Sequence, residues 1–166
     1  MNEATSVFAA APTAEMMEMV LPNDANVLGN LLGGKVMHLV DICAATAAAR
    51  HCRRPVVTAS IDYLEFRYPI KVGQLIVVKA ALNRVFKTSM EIGAKVWSEN
   101  LGTGERRHTS SAYLTFVALD DDGKPMIVPP YQPGSADEAR RWHDAGIRRE
   151  NRLAIKTRLL QRKAVS

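Results

Sequence analysis

The sequence predicts an α+β fold in which a curved antiparallel sheet wraps around one long helix. The stretch from Gly34 to about His51 is apolar on nearly every side, which is typical of a helix that is buried all round. Four β-rich stretches follow it, and their connections are short enough to make them antiparallel neighbours. With 166 residues, 47% of them hydrophobic and 23% charged, the chain has the size and composition of one globular domain.

The elements before and within the helix follow from turn-forming residues. A first strand is predicted around Met16 to Leu21, and residues 1–15 are expected to be a flexible N-terminus. The next segment, PNDANVLGNLLGG, is rich in turn formers and is predicted to be a loop. The helix after it would be about 27 Å long. Pro55 is expected to end it, because proline disfavours helix in the residue before it.

Alternation of apolar and polar residues predicts the later strands. In VVTASIDYLEFRYP the apolar residues change face after Tyr63, which indicates one strand with a bulge at that point. Residues 74–86, the run TSMEIGAKVW and the run RRHTSSAYLTFVALD predict three more strands. From about Ser135 the composition predicts a polar helical tail. One sheet cannot cover an all-apolar helix on every side, so we expect two protomers to pair and extend the sheet.

The net charge of +5 belongs to the end of the chain. Residues 1–135 carry 13 basic and 13 acidic side chains, whereas residues 136–166 carry 9 basic and 4 acidic ones. A neutral body argues against a protein coated in positive charge. The tail has a single aromatic residue, Trp142, so it offers little for stacking on bases. Nucleic-acid binding through the tail is therefore the disfavoured alternative.

Cysteine use and hydropathy predict a cytoplasmic location. If their stretch is helical, Cys43 and Cys52 lie about 13 Å apart, too far for a disulfide, and are expected to be free thiols. No basic residue precedes the short apolar patch near the N-terminus, and no run approaches the ~18 apolar residues of a membrane span. The sequence thus predicts neither a signal peptide nor a membrane anchor.

A glycine pair precedes the helix. The run GNLLGGK has the spacing of a phosphate-binding P-loop, but Val36 stands where Ser or Thr is needed and no buried strand precedes it. Gly33 and Gly34 would instead let a carbonyl group approach the backbone N–H groups at the positive end of the helix dipole. Such N–H groups can hold an oxyanion. The alternative is that the two glycines only fit a tight corner, and the residues alone leave both interpretations open.

Asp41 is the most anomalous residue of the helix. It lies two turns in, among apolar neighbours, where a carboxylate loses hydration at a cost of several kcal/mol. A function would explain it; the alternative is a polar stripe, since Lys35 and His38 precede it at spacings of three. His38 and Asp41 have no third ligand nearby, so no metal is expected. A serine nucleophile lacks its G-x-S-x-G motif, and the adjacent His51 and Cys52 would not face each other on a helix.

Three segments carry a resemblance to a known family. LPNDANVLGNLLGGKVMHLVDICAATAAARHCRRPVVTASID, VFKTSMEIGAKVW and AYLTFVALDDDGKPMIVPP resemble the acyl-CoA thioesterases of the hotdog fold, the bacterial YciA and brain-type cytosolic acyl-CoA hydrolase group. The resemblance covers about residues 16–131, and residues 132–166 form a basic helical C-terminal extension. It implies a homo-oligomer, a trimer of dimers and thus a hexamer. It also implies hydrolysis of acyl-CoA to a free fatty acid and coenzyme A, without a metal or other cofactor.

The resemblance also implies roles for individual residues. It places the catalytic carboxylate on Asp41 and a partner amide on Asn26, contributed by opposite protomers. Asp41 would act as general base or as nucleophile, and Asn26 would position water or the carbonyl. The segment that lines coenzyme A falls on Lys87, Thr88, Ser89 and Met90, and the candidates for its phosphates are Arg53, Arg54 and Arg84. A hotdog protein that binds acyl-CoA without turnover is the alternative function.

Overall fold

The computed structural model describes residues 11–164, which form one five-stranded antiparallel sheet and two long helices. The strands are β1 (Thr13–Met19), β2 (Val56–Asp62), β3 (Leu75–Val85), β4 (Ser89–Glu99) and β5 (Arg106–Ala118), and the helices are α1 (Gly33–Cys52) and α2 (Ala136–Ala164). In the sheet the strands follow the order β1-β3-β4-β5-β2, which leaves β1 and β2 at the edges. The predicted α+β class, with a sheet around one long helix, is confirmed.

The core lies between α1 and one face of the sheet. Alternate residues of the three central strands point at the helix, and Leu82, Ile92 and Leu114 among them are fully buried. Each such side chain contributes about 1.5–3 kcal/mol by leaving water. The helix meets them with small residues, since Ala44, Ala47 and its neighbour Ala48 are also fully buried. The run of alanines therefore lets the sheet approach α1 closely.

The ends of α1 and β2 differ in detail from the sequence-based expectation. The helix ends because Arg53 adopts a left-handed conformation with φ of 53°, two residues before Pro55. The strand expected to continue past residue 63 stops at Asp62, and its register shifts between Thr58 and Ser60 rather than after Tyr63. Tyr63 itself has φ of 50°, a left-handed residue that turns the chain out of the sheet.

The structure describes only the end of residues 1–15, the segment expected to be flexible. Residues 1–10 of the expected flexible stretch 1–15 lie outside the described residues. Residues 13–15, however, belong to β1, which begins three residues earlier than expected and pairs with β3. The apolar character of Ala14, which packs into the core, accounts for this earlier start.

The predicted C-terminal helix lies on the outer face of the sheet, the face turned away from α1. It begins as the capping residues dictate: the Glu138 N–H donates to Ser135 Oγ at 3.2 Å, and Glu138 Oε2 accepts from the Gly134 N–H at 2.7 Å. Further along, the Arg148 guanidinium forms an ion pair of 2.6 Å with Glu91 of β4, a side chain only 1% exposed. Part of the basic tail is therefore docked on the domain.

Candidate active site

Asn26 lies on the loop before α1, at a tight turn closed by an antiparallel bridge between Ala25 and Leu31. Its side-chain oxygen accepts hydrogen bonds from the backbone N–H groups of Leu28 at 2.9 Å and Asn30 at 3.2 Å. The backbone N–H of Asn26 donates to the backbone carbonyl oxygen of Asn30 at 2.8 Å. The turn thus occupies the amide oxygen and leaves the Nδ2 group to donate elsewhere. Asn26 is placed to contact an oxygen atom of a ligand.

A cavity of about 320 Å³ brings this loop together with the start of α1. Asn26, Gly33 and Phe66 are among its lining residues. Neither Gly33 nor Gly34 has a positive φ, and a methyl group added at Gly34 would meet nothing within 4 Å. A tight corner therefore does not explain Gly34. The first N–H groups of a helix have no partner within it, so they can donate to a group that enters from the cavity.

Asp41 is half-buried on α1, and its Oδ1 accepts a hydrogen bond of 2.7 Å from Thr58 Oγ1 on β2. No basic side chain of the described residues forms an ion pair with it. Lys35, which the polar-stripe interpretation would have used, instead pairs with Glu18 at 2.8 Å and with Asp24 at 3.7 Å. Asp41 is a carboxylate held by one hydroxyl group and left with a free oxygen. Sequence reasoning missed Thr58, because a threonine on a strand is unremarkable without its long-range partner.

Within one protomer, Asp41 and the Asn26 cavity are separate. Asp41 does not line that cavity, and eight residues of helix, about 12 Å, separate it from Gly33. Near Asp41 the exposed apolar side chains are Met37 and Ile42 on α1 and Ile61, which shares the inner face of the edge strand β2 with Thr58. The exposed His38, one turn before Asp41, is a polar neighbour of this patch. An exposed apolar patch on an unpaired strand edge is typical of a surface that another chain covers.

The segment expected to line coenzyme A comprises the end of the turn between β3 and β4, with Lys87 and Thr88, and the first two residues of β4. Lys87 is exposed and Thr88 half-buried, whereas Met90 is 0% exposed and packs in the core. Ser89 is buried, and its Oγ lies 3.3 Å from Arg149 Nη1 of α2. Only Lys87 and Thr88 therefore present side chains to a ligand at this turn.

The three phosphate candidates differ in their surroundings. Arg53 is exposed at the end of α1, and Arg54 pairs with Asp121 at 2.9 Å. Arg84 lies flat against Trp142, with its guanidinium carbon 3.6 Å from the ring centroid, and donates to the Trp142 carbonyl oxygen at 3.4 Å. Arg84 thus packs against α2, while Arg53 and Arg54 are both exposed to solvent.

A larger cavity, of about 770 Å³, lies between the outer face of the sheet and the start of α2. Part of its charge is paired, since Lys79 lies 3.1 Å from Glu15 and Arg140 lies 2.6 Å from Asp137. Among its described lining residues, basic side chains nevertheless outnumber acidic ones, five to three. Neither Asn26 nor Asp41 lines it. Size alone would select this cavity, but the chemistry favours the smaller one.

Three further features of the described residues concern a thiol, the possible metal ligands and the hydropathy of the helices. Cys43 is a buried free thiol, and burial raises the pKa of this thiol to about 11, so it is not a nucleophile at neutral pH. Within residues 11–164, no group of three or more His, Cys, Asp and Glu side chains is placed to hold a metal ion. In the same part of the chain, neither helix combines the length and apolarity required to cross a membrane.

Comparison with known proteins places the chain among thioesterases. The sequence profile described as the Thioesterase superfamily matches residues 28–105. Protein VdlD of Helicobacter pylori is 41% identical over 137 residues, which cover 82% of this chain and 78% of VdlD. The uncharacterized acyl-CoA thioester hydrolase YkhA of Bacillus subtilis is 42% identical over 132 residues, covering 80% of this chain and 76% of YkhA.

Solved structures agree with the sequence comparison. An acyl-CoA hydrolase from Bacillus cereus superposes with a TM-score of 0.85 at 31% identity, covering 93% of this chain and 94% of that one. A hexameric acyl-CoA thioesterase gives a TM-score of 0.84 at 39% identity, covering 87% and 93% of the two chains. An acyl-CoA hydrolase from Staphylococcus aureus, in complex with butyryl coenzyme A and coenzyme A, gives 0.83 at 33% identity, covering 90% and 92%.

Three single variants of the Staphylococcus aureus hydrolase have also been solved. In each of them alanine replaces one residue, which is an aspartate, a threonine or an asparagine. The asparagine variant is in complex with coenzyme A. In that chain the asparagine precedes the aspartate by 15 residues and the threonine follows the aspartate by 17. Asn26, Asp41 and Thr58 have the same separations in this sequence.

Proposed function

Since the chain belongs to the thioesterase superfamily and is an acyl-CoA thioester hydrolase, we propose that it cleaves acyl-CoA at a site shared by two protomers. Asp41 of one protomer and Asn26 of the other would form this site. The observation that supports it most directly is the Asp41 carboxylate, half-buried without a cation and held by Thr58 within an exposed apolar patch. The products are a free fatty acid and coenzyme A.

Asp41 would act in one of two ways. As general base, its free oxygen takes a proton from water, and the water oxygen attacks the thioester carbon. As nucleophile, it attacks the same carbon and forms a mixed anhydride that water then hydrolyses. In either route the carbonyl oxygen becomes negative, the C–S bond breaks, and the sulfur of coenzyme A leaves and takes up a proton. The Asn26 Nδ2 group and the N–H groups of Gly33 and Gly34 would stabilise the oxyanion.

Coenzyme A enters this reaction as part of the substrate and leaves as a product, and no other cofactor is required. We assign its binding to the segment Lys87, Thr88, Ser89 and Met90. Lys87 and Thr88 would contact it with their side chains, while Ser89 and Met90 hold the turn in place. Lys87 supplies positive charge for a phosphate group.

The assembly proposed for this enzyme is a homo-oligomer, a trimer of dimers, in the cytoplasm. A hexameric structure among the similar proteins supports it, as do the free edge of β2 and the apolar surface beside Asp41. The buried free thiols fit a reducing compartment. Nucleic-acid binding through the tail becomes less favoured, because Arg148 and Arg152 are already paired with Glu91 and Asp62.

A shared site makes a prediction about mixed oligomers. Asp41→Ala and Asn26→Ala should each inactivate their own homo-oligomer, but a dimer containing one chain of each type would keep one intact site. Co-expression of the two variants should therefore restore about a quarter of wild-type thiol release, because random pairing makes half of the dimers mixed. The activity of separately purified variants, combined without exchange, serves as the control. A co-expressed mixture as inactive as its parents would contradict the shared site.

Thr58 should affect the rate of acyl-CoA hydrolysis because its hydroxyl group orients the Asp41 carboxylate. Thr58→Val removes the hydroxyl that orients the carboxylate, and we expect kcat to fall about ten- to a hundredfold, the value of one hydrogen bond to a charged group. Thr58→Ser keeps the hydroxyl and should keep most of the rate. The measurement is steady-state thiol release, with KM for acyl-CoA recorded separately. Equal rates for the valine and serine variants would remove Thr58 from the mechanism.

A further inference from the structure

Helix α2 crosses the outer face of the sheet strand by strand. Trp142 contacts Arg84 on β3, Arg148 contacts Glu91 on β4 and stacks on Tyr113 of β5, and Arg152 pairs with Asp62 on β2. From residue 142 to residue 152 the helix rises about 15 Å. The distance from β3 to β2 is three strand spacings, about 14 Å. The helix therefore runs nearly perpendicular to the strands and reaches the edge strand β2 at Arg152.

The helix does not end at that edge. It continues to Ala164, about 18 Å beyond Arg152, and every described side chain from 153 to 161 is exposed. We call residues 153–164 the overhang. A helical segment of this length has marginal stability when it is unsupported in water. Its contacts within one protomer do not account for it.

Two apolar residues of the overhang lie on the side of α2 that docks on the sheet, and a third flanks it. At 100° per residue, Leu159 lies about 15° and Ile155 about 55° from the direction set by Ala145, Arg148 and Arg152. Leu160 lies about 85° from this direction, with Lys156 between the two leucines, and Leu153 lies roughly 105° away. Leu159 is 55% exposed and Leu160 58% exposed. The opposite side of the overhang is formed by Ala154, Thr157, Arg158 and Gln161. The docking face of α2 thus continues past the point where its own sheet stops.

We infer that the overhang docks on the outer sheet face of a second copy of this chain, with Leu159 and the flanking Leu160 as apolar contacts. The inference rests on the pairing of two copies at β2 in the proposed function. If β2 edges pair, the sheet of the second copy begins one strand spacing beyond β2, directly under the overhang. The same symmetry gives the second copy an identical contact. Each C-terminal helix then spans both halves of the dimer and holds the shared sites together.

Two matched double variants test this contact. Leu159→Glu with Leu160→Glu places one charge on the docking face and one beside it, and Thr157→Glu with Gln161→Glu places the same two charges on the opposite face. Sedimentation at a series of protein concentrations gives the dimer dissociation constant of each variant and of the wild type. We expect the leucine variant to raise this constant at least about tenfold, a loss typical of desolvated apolar contacts at an interface. The control variant should stay near wild type.

Hydrogen exchange adds a direct readout. The overhang amides should be protected in the wild-type dimer and in the control variant and unprotected in the leucine variant, while the amides of 142–152 stay protected in all three. A dimeric wild type with equal dissociation constants and equal exchange in both variants would overturn the docking and leave the β2 pairing intact. A monomeric wild type would overturn the pairing itself. If the leucine variant loses the hexamer but keeps the wild-type dimer dissociation constant, the overhang contacts a different dimer, and the proposal is also overturned.

Discussion

Replacing Asp41 by asparagine is expected to lower kcat for acyl-CoA hydrolysis by about two to four orders of magnitude, the contribution of a positioned general base. Asparagine has nearly the same shape, and its amide oxygen can still accept the Thr58 hydroxyl, so the fold and the position of the side chain should persist. The amide cannot take a proton from water or form an anhydride. The assay is thiol release from acyl-CoA, with coenzyme A affinity and thermal stability measured beside it.

Asp122→Asn is the matched control for this variant. Asp122 is exposed in the turn after β5, and its carboxylate forms no ion pair among the described residues, so its loss should leave turnover near wild type. Near-normal turnover in Asp41→Asn would remove Asp41 from the mechanism. Single turnover of the wild type in ¹⁸O-labelled water tests the nucleophilic route, because label recovered in the Asp41 carboxylate requires an anhydride that water opens at the Asp41 carbon.

A panel of short, medium and long acyl-CoA substrates complements the variants. Under the proposed function, the acyl chain would lie along the apolar surface formed by α1 and β2, and the second protomer would close that surface. The exposed side chains there are large, so they set how much room a chain finds. The panel also tests the alternative of binding without turnover, since tight coenzyme A binding with no thiol release from any substrate would favour it.

The sequence predicted those features that depend on local pattern. The all-apolar run from residue 34 predicted α1 almost to its ends, because no other element buries that many small residues. The pattern could not show that Tyr63 turns the chain out of the sheet, since a left-handed φ depends on the backbone of the whole loop. Asp41 stood out as a lone carboxylate among apolar neighbours. Its partner Thr58 did not, because only the fold brings residues 17 apart into contact.

The docking of α2 was likewise invisible in the sequence. In the run TSMEIGAKVW, Glu91 alternates with core residues and is expected on a solvent-facing side. It is instead almost fully buried, because Arg148, 57 residues later, brings α2 across that face. Segment counting located the excess charge in the tail but could not show which of its arginines are neutralised. The number of charged residues in a segment can be counted in the sequence, whereas the ion pairs that they form depend on the fold.

The buried ion pair predicts the largest effect on stability. Arg148→Met keeps an unbranched apolar stem but leaves Glu91 buried without a cation, and we expect the free energy of unfolding to fall by about 3–5 kcal/mol. Asn83 still donates to Glu91 at 3.0 Å, but one amide hydrogen bond cannot replace a two-point guanidinium contact. Urea unfolding followed by fluorescence of Trp97 and Trp142 measures the loss at fixed protein concentration.

Two further variants show whether the loss comes from the unpaired charge. Arg158→Met removes an exposed arginine from the same helix, ten residues beyond Arg148, and should change stability by less than about 0.5 kcal/mol. Glu91→Gln combined with Arg148→Met removes both charges and should recover most of the lost stability, because a neutral amide is cheaper to bury than a lone carboxylate. A double variant as unstable as Arg148→Met alone would assign the loss to the stacking of Arg148 on Tyr113 instead, since that contact is missing from both.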